Sequence, residues 1–191
     1  MAKLESNIRN MVLSLTIISV AAAAILALVS SITAEPIALA KKAKQEEAIR
    51  MVLPSFEQLE QDTAIYNGKQ YPYFKALDGA NAMVGMAVQT FSENGFGGHL
   101  GIMVGFDKKG GISGYQILET AETPGLGSKA DMWFQEGQKG CVVGNDCSKP
   151  LCVSKDGGEI DAIAGATITS RAVLQAINDA HSIFTQKQFE Q

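Results

Sequence analysis

Residues 99–118 read HLGIMVGFDKKGGISGYQIL: an apolar run from His99 to Phe106, a turn from Asp107 to Gly111, and a second apolar run from Ile112 to Leu118. Branched and aromatic residues on both arms, with Asp, Lys and Gly between them, predict a β-hairpin. Strands joined by so short a turn run antiparallel, which excludes a doubly wound parallel sheet. Upstream, Tyr71 to Leu77 and Ala82 to Phe91 form a second hairpin around Asp78-Gly79. Downstream, Ser128 to Gln135 predicts a short helix with Trp133 and Phe134 inward, and Gly137 to Pro150 is rich in loop formers. Leu151 to Ser154 and Glu159 to Ile163 read as strands on either side of Asp156-Gly157-Gly158. From Ser170 to Phe184, the residues Val173, Ile177, Ala180 and Phe184 recur at the spacing of an amphipathic helix. The soluble part is therefore α+β, with a mainly antiparallel sheet and a C-terminal helix.

The amino-terminal region follows different rules. The 24 residues from Met11 to Ala34 carry no charge and lie between Arg9 and Glu35. At about 1.5 Å per residue they span roughly 36 Å, enough to cross a hydrocarbon core of about 30 Å. A soluble helix of this length would show a polar face, and this one has only Ser and Thr. A cleaved signal peptide shares the charged start, but the apolar run is long for one, and Ile32 stands where a small residue is expected before Ala34. The reading is an uncleaved single-pass anchor, with a boundary between residues 1–35 and a soluble domain of 36–191. Lys3 and Arg9 precede the span and Lys41, Lys42 and Lys44 follow it, so basic residues do not fix the orientation. Ala40 to Leu53 predicts a further helix with Ala48, Ile49, Val52 and Leu53 on one side, stopped by Pro54. The polar stretch Ser55 to Gln70 reads as loop or frayed helix.

The whole chain of 191 residues has 16 Lys plus Arg against 20 Asp plus Glu, a net charge of −4. That balance gives no nucleic-acid footprint, and 46% hydrophobic content is enough to build a core. His99 and His181 are the two histidines and lie far apart, so no metal cluster is suggested. Cys141, Cys147 and Cys152 match no paired zinc spacing; in an oxidising compartment one local disulfide is expected. Gly95, Gly97, Gly98 and Gly101 form a glycine-rich segment, but Leu100 occupies the third glycine position of the dinucleotide fingerprint and a strand follows, so it reads as a flexible loop.

Two segments carry chemistry. Asp161-Ala162-Ile163-Ala164-Gly165-Ala166-Thr167-Ile168-Thr169 brings a small-residue turn and two hydroxyls to the start of the terminal helix. A helix start gathers unpaired N–H groups and a positive dipole end, which suits a phosphate; equally, Thr167 or Thr169 serves as a cap. Glu122-Thr123-Pro124-Gly125-Leu126-Gly127 is a Pro-Gly turn followed by a Gly, which lets backbone approach a flat ligand or simply forms a loop. No acid, base or nucleophile constellation is visible.

Together the two segments resemble the covalent-FMN-binding domain of the G subunit of the Rnf electron-transport complex and the C subunit of the sodium-pumping NADH:quinone oxidoreductase. The resemblance covers the whole chain. In that family the pattern is Asp-x-x-Ser/Thr-Gly-Ala-Thr-x-Ser/Thr, and the last hydroxyl carries FMN through a phosphoester; here that residue is Thr169. Asp161, Gly165, Ala166 and Thr167 match the pattern, while Ala164 stands where the family has Ser or Thr. The resemblance implies that the Glu122 to Gly127 loop, with Glu122, Thr123, Pro124, Gly125 and Leu126 as binding residues, lies beside the isoalloxazine ring, Thr123 and Leu126 being the contacts. It further implies a flavin transferase for maturation, other subunits of the complex as partners, and a place in the bacterial cytoplasmic (inner) membrane with the flavin domain on the extracytoplasmic side. The short distance between anchor and motif favours the Rnf subunit, in a complex moving electrons between ferredoxin and NAD coupled to Na+ or H+ translocation. On that reading the chain is a redox subunit that is not catalytic alone. Another membrane reductase, the quinone-reductase subunit, and a non-catalytic anchored binding module are the alternatives. A tether makes sense for a redox centre outside the cytoplasm, where no flavin pool replaces a lost cofactor, and the flavin itself supplies the electron chemistry.

Overall fold

The computed structural model describes residues 7–189. It contains α1 (Ile8–Val52), five strands β1 (Gln58–Tyr66), β2 (Lys69–Leu77), β3 (Met83–Gly95), β4 (Gly98–Asp107) and β5 (Ile112–Thr120), the short α2 (Ala130–Trp133), and α3 (Thr167–Phe189). Two units divide the chain after Ala43. The first holds the apolar part of α1, whose large side chains from Met11 to Ile32 are exposed and which is long and apolar enough to cross a membrane. The anchor and the predicted Ala40 to Leu53 helix are one continuous helix that runs through Pro36.

In the second unit the strands lie in the order β1-β2-β3-β4-β5, every neighbouring pair antiparallel, so sequence order and spatial order coincide. Both predicted hairpins are present. Alternation along β4 sends Leu100, Ile102, Val104 and Phe106 to one face and Met103 to the other. The first face is covered by α3, whose stripe of Val173, Ile177, Ala180 and Phe184 is at most 1% exposed and whose Phe184 ring lies 5.0 Å from that of Phe106. The second face receives the end of α1, with Ala48, Ile49, Val52 and Leu53 against Phe74, Ala76, Ala87 and Met103. Each fully buried Ile, Val or Leu contributes about 1.5–3 kcal/mol. Gly105 makes this approach possible, because a side chain there would collide with the Val52 carbonyl.

Several elements differ from expectation. Ser55 to Gln70 contains β1, an edge strand in which only Ala64 is buried, so it lacks the apolar alternation that marks half-buried strands. It is joined to β2 by Asn67 (φ 49°) and Gly68 (φ 74°), the paired positive values of a two-residue type I′ hairpin. The glycine-rich segment is likewise a tight connection, since Gly95 pairs with Gly98 and leaves Phe96 and Gly97 at the tip of the β3–β4 hairpin. Leu151–Ser154 and Glu159–Ile163 are not strands. A single bridge joins Val153 to Ile160, because the Val153 carbonyl is taken by the Asp156 and Gly158 N–H groups of a local 3₁₀ turn at Ser154–Asp156. The short helix is a 3₁₀ turn (Gly127–Lys129) leading into α2; Phe134 is buried, and Trp133 is half-buried with its indole N–H donating to the Asp161 carbonyl at 2.7 Å. Cys141, Cys147 and Cys152 are free thiols, so the expected disulfide is absent.

Candidate functional site

The site forms where the loop after β5 meets the start of α3. Thr123-Pro124-Gly125-Leu126 is a β-turn closed by the Leu126 N–H on the Thr123 carbonyl (3.2 Å), with Gly125 at φ 77°. Pro at the second position and a positive-φ Gly at the third are the demands of a type II turn. Ile163-Ala164-Gly165-Ala166 makes a second such turn, closed by Ala166 N–H to Ile163 O at 3.0 Å with Gly165 at φ 80°. The Ser170 hydroxyl then holds the start of α3, accepting from the Ile163 N–H at 2.9 Å and donating to the Ala166 carbonyl at 3.0 Å. Neither Thr167 nor Thr169 is the cap, which leaves both hydroxyls for other partners.

Thr169 is fully buried and its hydroxyl donates to Glu122 Oε2 at 2.9 Å. Glu122 is itself only 8% exposed, and its Oε1 has no hydrogen-bond partner among the described residues. A carboxylate in such a position costs free energy unless something else satisfies it. Glycines flank it closely: a Cβ at Gly95 would lie 2.6 Å from Glu122 Oε1, and one at Gly127 would lie 2.9 Å from Thr169 Oγ1. Thr167, one turn position earlier, accepts from Lys155 Nζ at 3.3 Å. Beside Lys155, Asp156 makes a bidentate pair with Arg171 (2.6 and 2.7 Å), which holds the Asp156 carboxyl below the usual range for aspartate.

These residues wall a cavity of about 340 Å³, completed by Phe96, Thr123, Leu126, Gly165, Ala166 and Ile168. Phe96, Leu126 and Ile168 give it apolar surface. Ile168 belongs with Thr167 and Thr169 to the first turn of α3, whose N–H groups lack intrahelical acceptors, and the Lys155 ammonium bonded to Thr167 lines the same cavity. A larger hollow of about 450 Å³ between Asn145 and Ile160 is polar. No group of His, Cys, Asp and Glu among the described residues could hold a metal ion.

The FMN-binding domain family model matches residues 95–182, a range that includes the whole of this site. The G subunit of the ion-translocating oxidoreductase complex from Yersinia pestis is 33% identical over 181 residues, covering 88% of this chain and 86% of that protein. The corresponding subunit of Methanosarcina acetivorans is 32% identical, covering 92% and 94%. This chain belongs to the G-subunit family of ion-translocating oxidoreductase complexes. A solved NqrC structure from Shewanella oneidensis is similar over 74% of each chain, with 20% identity and a TM-score of 0.48.

Family membership gives FMN as the ligand against which the cavity is tested. An amphiphilic ligand with a flat apolar ring and a phosphate fits a cavity lined by Phe96, Leu126 and Ile168 together with a helix start and an ammonium, and the unpartnered Glu122 Oε1 leaves an acceptor beside it. Of the residues singled out from sequence, Glu122, Thr123, Leu126, Gly165, Ala166, Thr167 and Thr169 line the cavity. Pro124 and Gly125 shape the turn without lining it. Asp161 is exposed and offers its carbonyl to Trp133, and Ala164 is also exposed, outside the cavity wall. Gly127 and Ile168, which also line the cavity, lie inside the two segments singled out from sequence. Sequence reasoning missed Phe96 and Lys155, which reach the site only through the β3–β4 hairpin and the 3₁₀ turn, and no local pattern ties these to α3.

Proposed function

We propose that the cavity holds FMN linked by a phosphoester to Thr169 Oγ1, and that the chain is the electron-carrying subunit of an ion-translocating membrane oxidoreductase. The observation that carries this reading is the placement of Thr169 in the first turn of α3, in the wall of a cavity that combines apolar side chains with a helix start and an ammonium. Thr167 and Thr169 N–H groups, the helix dipole and Lys155 favour the phosphodiester charge, the dipole by about 0.3–1 kcal/mol. Phe96, Leu126 and Ile168 shelter the ring system. The flavin supplies the electron chemistry, and the chain orients it and holds it against loss.

The electrons pass between ferredoxin and NAD through the complex, coupled to Na+ or H+ movement. One membrane-crossing helix offers no ion route, so translocation belongs to partner subunits. α1 anchors the chain with its amino terminus inside and the flavin domain on the extracytoplasmic face of the inner membrane, and a flavin transferase attaches the cofactor. The test is coexpression with a competent transferase, followed by ultraviolet fluorescence on a denaturing gel. Wild type is expected to fluoresce, Thr169→Ala to be dark, and Thr167→Ala to be dimmer than wild type. A fluorescent Thr169→Ala band would remove the assignment.

A further inference from the structure

We propose that Glu122 accepts the proton of Thr169 Oγ1 during flavin attachment, and that this pairing selects Thr169 over its neighbour Thr167. The inference rests on the covalent-FMN reading above and deepens it. Three threonines line the cavity, Thr123 from the loop after β5 and Thr167 and Thr169 from α3, and the two on α3 have hydroxyls engaged in opposite ways. Thr169 donates to a buried carboxylate at 2.9 Å, within the range for direct proton transfer. Thr167 instead accepts from the Lys155 ammonium at 3.3 Å. A hydroxyl attacks phosphorus through an oxygen lone pair while losing its proton. A carboxylate acceptor promotes that loss, whereas an ammonium takes up one of the two lone pairs and cannot accept the proton. Carboxylates take hydroxyl protons in the same manner in other phosphoryl transfers.

Glu122 is equipped for this task. Its Oε1 is committed to no other group among the described residues, and Gly95 and Gly127 confine the carboxylate beside Thr169. The donor must be a phosphoanhydride of FMN, a flavin dinucleotide presented by the transferase, because free FMN has no adequate leaving group. The Thr169 Oγ1–P bond forms and the anhydride P–O bond breaks. The nucleoside monophosphate leaves with that electron pair, the proton passes to Glu122 Oε2, and nothing is oxidised or reduced.

A purely structural role would be to satisfy a buried hydroxyl, and glutamine does that equally well, since its amide oxygen accepts the same hydrogen bond but takes no proton. The experiment uses the full chain in detergent, without flavin, mixed with excess purified flavin transferase and FAD, and reads the initial rate of covalent fluorescence with peptide mapping. Glu122→Gln is expected to melt like wild type yet to be about 10²–10⁴-fold slower. Glu122→Asp keeps a proton acceptor and is expected to recover part of the rate. A Gln variant modified at the wild-type rate overturns the proposal, as does an Asp variant no faster than Gln. Should the Gln variant fail to fold, the Asp variant carries the test: a chain that melts like wild type but is modified more slowly at Thr169, its carboxylate drawn back by one methylene, supports the proposal, and an unchanged rate overturns it. A wild-type chain that takes no flavin from an active transferase removes the covalent reading itself, which is seen before any variant is made.

Discussion

Gly127→Ala isolates the packing between the loop after β5 and the start of α3. Gly127 is not among the positive-φ residues, so alanine meets no backbone penalty of that kind. Its methyl carbon would instead lie 2.8 Å from Glu122 Cβ and 2.9 Å from Thr169 Oγ1, well inside the contact distance of about 3.5–4.0 Å. Neither neighbour can withdraw freely, since both are buried and bonded to each other. Overpacking of this kind costs about 1–3 kcal/mol. Relief by separating Glu122 from Thr169 forfeits a charge-assisted hydrogen bond of about 1.5–3 kcal/mol. Because one penalty is relieved at the expense of the other, the expected loss is about 1–3 kcal/mol, or roughly 2–12 °C in melting temperature for a domain of this size. The assay is thermal unfolding of the full chain in detergent by circular dichroism, alongside covalent flavin incorporation. Gly125→Ala is the control: its φ is 77° and nothing lies within 4 Å of the added carbon, so it pays about 1–2 kcal/mol of backbone strain without touching Glu122 or Thr169. A Gly127→Ala chain that melts with wild type and incorporates flavin at the same rate would refute the described contact.

Other outcomes follow from the same geometry. Burial pushes the Cys147 thiol up to about 11, whereas Cys152 is exposed. In the folded protein iodoacetamide is expected to alkylate Cys152 first and Cys147 last, as read by peptide mass mapping; the reverse order would contradict the packing around Cys147. The Arg171 side chain holds Asp156 below its ordinary value of 3.8, so the pair's stabilisation is complete above that value and is lost as the pH falls through the lower folded-state value. Asp156→Asn is therefore expected to lower the urea midpoint at neutral pH and to lose less than wild type between about pH 5 and pH 2. Equal losses in both proteins would remove the pair from the acid response.

The fold was legible where local pattern and tertiary role agree. The hairpin arms around Asp78-Gly79 and Asp107 to Gly111 declare themselves by composition, and the α3 stripe of Val173, Ile177, Ala180 and Phe184 faces the sheet as its spacing demands. β1 was hidden because an edge strand with one buried residue has no apolar rhythm, although Asn67-Gly68 marked its turn. The short segments around Ser154–Asp156 failed as strands because alternation over four residues cannot show that the turn's own N–H groups consume the carbonyl a ladder needs. At the site, the Gly-Ala-Thr-x-Thr stretch and the Glu122 to Gly127 turn were visible as special, since positive-φ glycines and helix-start hydroxyls carry local signatures. Their meeting was not, because the Glu122–Thr169 bond spans 47 residues and the glycines beside it look like ordinary loop formers until the carboxylate is placed between them.

Thr169 as the flavin carrier is tested most directly by intact mass of the full chain coexpressed with a flavin transferase, with the adduct mapped by peptide fragmentation. The account predicts a gain of one FMN less one water, confined to the peptide that contains Thr169 and absent from Thr169→Ala. No gain with a transferase active on another substrate, or an adduct on a different residue, would contradict it.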